Sequence, residues 1–105
     1  MPTIVRISRH SVENCPMNNE KMKKVASEAV EKLPTLAKKH GIKPVGSWSV
    51  FPEHLIIQVF EAPSLDAFLK FQMEPEIMKW VANNTTETKI AMTQEETMRM
   101  LKQAK

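Results

Sequence analysis

At 105 residues and 12.0 kDa the chain suffices for one hydrophobic core and is short for two, so residues 1–105 read as a single domain. Apolar residues are 42% and charged residues 26%, the balance of a folded chain; no apolar run approaches the ~18 residues of a membrane span, and a lone cysteine excludes a disulfide framework. The net charge of +3 is uneven, with nine Lys/Arg against four Glu in residues 1–43, but the excess is lysine (Lys21, Lys23, Lys24, Lys32, Lys38, Lys39) without interleaved aromatics, which reads as a solvated helix face and not a nucleic-acid strip.

Thr3–His10 alternates, with Val5 and Ile7 on one side and Ile4, Arg6, Ser8 and His10 on the other, the period of a strand. Ser11–Asn19 is turn-rich and ends in Asn18 and Asn19, either of which can cap a helix. Met22, Val25, Ala26, Ala29, Val30, Leu33, Leu36, Ala37 and His40 then recur at helical spacing, and Gly41 stands where a left-handed terminal residue is wanted. Pro34 predicts a kink near Leu33. Val45–Phe51 and Leu55–Ala62 read as two strands joined through Pro52-Glu53-His54. The second is apolar on both sides (Leu55, Ile57 and Val59 against Ile56 and Phe60), the mark of a central strand. Ser64 caps a helix whose inner side carries Leu65, Phe68, Leu69 and Gln72, Pro75 interrupts it, and Glu76–Val81 adds a further turn or two. Thr85–Met92 is a fourth strand. Thr93 and Glu96 have the spacing of a capping box, opening a last helix with Thr97, Met98, Leu101 and Ala104 as its apolar positions.

The string β-α-β-β-α-β with a terminal helix predicts an α+β fold: a ferredoxin-like sandwich, its four-stranded antiparallel sheet covered by helices on one face and its first and third strands central. Two helices leave the other sheet face bare. With Trp48 and Val50 on the second strand and an apolar third strand, that face is a larger apolar patch than a monomer usually exposes, so a homodimer closing as an α/β barrel is expected.

Arg9-His10-Ser11-Val12-Glu13-Asn14-Cys15-Pro16, followed by His40-Gly41 and by Trp48…Pro52-Glu53-His54, resembles a family of small archaeal and bacterial proteins of the dimeric α/β-barrel superfamily. The resemblance spans nearly the whole chain and implies that fold and dimer. It implies no single activity, since the superfamily holds cofactor-free monooxygenases, isomerases, haem-processing enzymes and plain ligand binders.

Gly41 and Gly46 alone cannot build a phosphate loop, and metalloprotease, redox and nucleophile-elbow motifs are all missing. Two groups remain. Arg6 and Ser8, facing away from the helices if Val5 and Ile7 face them, would line a barrel cavity with Trp48 and bind a small-molecule ligand, Arg6 pairing with its anion or with Glu61. His10 and His54, at the facing ends of the first and third strands, would meet Cys15 from the loop above, with Glu13 as the nearest acid; imidazole, thiolate and carboxylate are donors for Zn²⁺ or Fe²⁺. The same residues would also serve a Cys–His nucleophile or a His10 or His54 general base. The reading is thus a small cytoplasmic homodimer that binds a ligand or metal ion, with no nucleic-acid or membrane partner. The alternatives are a cofactor-independent oxygenase or isomerase and a structural or regulatory dimer.

Overall fold

The computed structural model describes residues 2–103. Seven main elements follow the expected order: β1 (Thr3–Arg9), α1 (Glu20–Lys39), β2 (Lys43–Val50), β3 (Leu55–Glu61), α2 (Leu65–Gln72), α3 (Pro75–Ala82) and β4 (Thr85–Ala91). A single 3₁₀ turn, Phe51–Glu53, links β2 to β3, and α4 (Gln94–Gln103) closes the described chain. The four strands form one antiparallel sheet in the order β2-β3-β1-β4, so β1 and β3 are the central pair. The fold is α+β, a four-stranded antiparallel sheet with four helices.

The helix ends follow from their sequence signals. Asn19 caps α1 by accepting from the Met22 amide at 3.1 Å. At the other end Gly41 takes φ +71°, and the Gly41 and Ile42 amides donate to Lys38 and Ala37, the paired bonds of a glycine-terminated helix. Pro34 does not end the helix: α1 runs through it from Glu20 to Lys39, one backbone donor short. Ser64 accepts from the Ala67 amide, and Pro75 opens α3 where its missing N–H costs nothing.

β1 is reversed relative to the expected orientation. Ile4, Arg6 and Ser8 are the buried side and face the helices, whereas Val5 and Ile7 lie on the open face. Ile4 pairs in register with Phe60, Arg6 with Gln58 and Ser8 with Ile56. Polarity could not orient this strand, because both of its sides carry apolar residues. The aromatic cluster of Phe60, Phe68 and Phe71 decides it by taking Ile4 into a core shared with Ala29, Ala37, Ile42, Ala62, Ile77 and Trp80. Each ring in that cluster carries a large share of the buried area.

Candidate metal centre and cavity

His10 follows the last residue of β1, and His54 precedes the first of β3. The antiparallel register sets Arg9 against Leu55, and one step further the His10 amide donates to the His54 carbonyl at 3.2 Å. The two rings meet edge to face, their centroids 5.3 Å apart. Cys15 drops in from the loop after β1 and is buried. That loop is shaped by its own turns: the Asn14 amide donates to the Ser11 hydroxyl, the Cys15 amide to the Val12 carbonyl, and Asn19 Nδ2 to the Glu13 carbonyl.

One donor atom from each of His10, Cys15 and His54 lies within 4.8 Å of the other two. A tetrahedral zinc with Zn–N near 2.0–2.1 Å and Zn–S near 2.3 Å sets its donors about 3.3–3.7 Å apart, so closure asks for about an ångström of side-chain movement. Two features mark the group as poised. His10 Nε2 is buried and has no hydrogen-bond partner, an unusual condition for a ring nitrogen. His54 adopts φ +51° and ψ +46°, the sole left-handed non-glycine among the described residues, and strain of that kind concentrates at functional sites. Burial first, and His54 second, hold the His10 pKa below its usual 6.5, with the Asn84 side chain pulling the other way; the ring is neutral at pH 7, as a ligand must be. Glu13 is exposed and stays outside the group.

Beside these three residues a cavity of about 240 Å³ lies between α1 and the sheet. It exists because small side chains face each other there: Ala26 and Ala29 on α1, Ser47 and Ser49 on β2. Its exposed lining residues, Met17, Val30, Ser47, Ser49 and Phe51, mark the mouth, and the half-buried His10 and His54 and the buried Cys15 also line it. Its buried lining residues, Arg6, Gln58, Ile77 and Trp80, mark the inner end.

Arg6 is 1% exposed. Its Nε and Nη2 donate to Gln58 Oε1 at 3.0 and 2.6 Å, and Nη1 donates to Gln72 Oε1 at 2.9 Å. The guanidinium also lies 5.1–5.8 Å from the ring centres of Trp80, Phe60 and Phe68. Glu61 does not pair with it, since Glu61 is opposite Thr3 on the other side of the sheet. Ser8 is fully buried and does not line the cavity; its hydroxyl, and that of Thr86 across the β1–β4 register, have no partner. Trp48 is opposite Ile57 on the open face, 55% exposed, so the structure does not bring it together with Arg6 and Ser8. Around Arg6, Gln58 is the residue that the sequence reading gave no role. The available signal was Gln58, one polar residue in the otherwise apolar run Leu55–Phe60.

No family model matches the chain, and no curated protein matches it either. A solved structure is similar: protein Atu4242 from Agrobacterium tumefaciens, a structural-genomics target, with a TM-score of 0.56 and 20% identity over 88% of this chain and 92% of that one. At that identity the likeness is one of fold. The family resemblance of Arg9–Pro16 and the His54 region therefore has no matching family model behind it, while the α+β architecture has a structural neighbour. Among the described residues no helix is long and apolar enough to cross a membrane.

Proposed function

We propose that the protein binds a transition-metal ion, zinc in preference to iron, through His10, Cys15 and His54. The observation that carries this reading is the convergence of three donor atoms within 4.8 Å, one of them a buried and unpartnered imidazole nitrogen. A thiolate and two imidazoles suit zinc, whereas the common non-haem iron set includes a carboxylate, and Glu13 stays outside. Three protein donors leave a fourth position for water or a ligand, as zinc sites that do chemistry do.

Cobalt substitution tests it. Metal-free protein given one equivalent of Co²⁺ should develop the intense tetrahedral d–d bands and the near-ultraviolet thiolate-to-cobalt transition. Cys15→Ser should lose the thiolate transition, and His10→Ala or His54→Ala should weaken binding at least tenfold. Octahedral, pale cobalt in the wild type would overturn the assignment.

The host domain is, on this reading, a ferredoxin-like half that works as a homodimer. The order β2-β3-β1-β4 with β1 and β3 central supports the first part. The second is supported by the open sheet face, which carries Val5, Ile7, Ile57, Val59 and the exposed Trp48, while α1, α2 and α3 all pack into a core on the other side. A second reading makes His10 the base of a cofactor-independent oxygenase or isomerase, since its lowered pKa leaves a proton-accepting ring at the cavity mouth. The two part at the thiol: Cys15→Ser removes a metal ligand and leaves a base in place.

A further inference from the structure

We propose that the inner end of the cavity binds a small organic acid, its carboxylate taken by Arg6 and its hydrocarbon body lying against Ala29, Leu33 and Ile77. The site is separate from the metal centre: Arg6 lies within β1 and His10 just past its end, four residues on and about 13 Å along the extended backbone.

The first argument is charge. Arg6 is 1% exposed and, among the described residues, no carboxylate pairs with it; both its side-chain partners are neutral amides. A cation taken out of water without a counter-charge costs several kcal/mol, and such a group is normally paired. Desolvation lowers the Arg6 pKa only to about 10, so the charge persists at neutral pH. The second argument is valence. A guanidinium carries five N–H donors. Gln58 takes two and Gln72 one, which leaves one N–H on each terminal nitrogen. Two N–H groups on adjacent nitrogens match the two oxygens of a carboxylate. The third is placement. Gln58, Gln72 and the Phe60, Phe68 and Trp80 rings fix the guanidinium in orientation, the preorganisation that a recognition group needs. The fourth is shape: a cavity of about 240 Å³ with an apolar α1 roof has room for a compact ring or short chain.

Benzoate is the probe, with benzyl alcohol as its neutral counterpart. The measurement uses the full chain carrying Trp48→Phe, so that Trp80, which touches Arg6, is the remaining tryptophan and reports by fluorescence. Chelator is present throughout. Benzoate should change the Trp80 emission saturably and bind at least tenfold more tightly than benzyl alcohol. Arg6→Met should abolish that preference. Because Arg6→Met can fail to fold, Ala29→Phe, which fills the cavity from α1 and leaves Arg6 in place, should also lose benzoate. Equal binding of the two probes, binding indifferent to Ala29→Phe, or no saturation in the millimolar range overturns the proposal. Binding that appears only when zinc replaces the chelator also overturns it. If the chain takes up no zinc when titrated with it, the metal reading falls, and benzoate binding in chelator leaves this one standing.

Discussion

At the scale of single residues, two polar groups stand out in the lining of one cavity. Arg6 is held by neutral partners, and His10 keeps a ring nitrogen unpaired. Packing alone does not call for Arg6, since exchanging a buried charged group for apolar residues is often neutral or stabilising. Phe68 is the apolar counterpart, fully buried in the aromatic cluster with its ring also under the Arg6 guanidinium; Phe68→Ala should cost ~3–5 kcal/mol in denaturant unfolding. Glu74 gives the pH prediction. Hydrogen bonds from Lys39 and His40, at 2.7 and 2.9 Å, hold its carboxyl below the usual 4.5. A carboxyl with a lowered folded-state pKa contributes stability that is present above about 4.5 and lost as pH falls through the folded value. Wild type should therefore exceed Glu74→Gln in stability at pH 7, and the gap should close as pH drops below about 4.5.

At the scale of elements, capping chemistry was the most legible part of the sequence. Asn19, Gly41, Ser64 and Thr93 all act as local rules require, because a cap depends only on its own turn. Even so, the Glu96 carboxylate accepts from the Thr93 hydroxyl at 3.0 Å and does not reach back to the backbone. What stayed hidden was which side of β1 meets the helices, since that is settled by Phe60, Phe68 and Phe71, residues 54 to 67 positions away from Ile4 and Arg6 in the chain. The convergence of His10, Cys15 and His54 was legible because antiparallel pairing of β1 with β3 brings those strand ends together whichever face is buried. The cavity beside them was not, since it depends on how α1 lies over β2. Pro34 makes a further test: it removes a donor inside α1, so Pro34→Ala should raise stability by ~1–3 kcal/mol. Thr93→Ala should cost α4 about 1 kcal/mol, seen as faster amide exchange in that helix and not in the midpoint of global unfolding.

That separation arises at the scale of the whole molecule. Among the described residues α4 has no buried residue and no extensive contact with another element, and the described chain extends 55 × 31 × 17 Å. Met98, Met100 and Leu101 are exposed, and Ala104 lies outside the described residues. Among the described residues this helix therefore has no extensive packing on its own chain; on the homodimer reading its place is on the second copy. Gly46 links that reading to a single atom: a Cβ there would meet the Trp48 ring at 2.5 Å, so Gly46→Ala should displace the indole on the open face and weaken association in sedimentation without lowering zinc affinity. The central claim, a metal centre at His10, Cys15 and His54, is tested most directly by titrating zinc into the metal-free chain against a chromophoric chelator at pH 7. One zinc per chain with sub-micromolar affinity is expected, and a loss of at least a hundredfold in Cys15→Ser. Equal zinc affinity in the wild type and Cys15→Ser would contradict it.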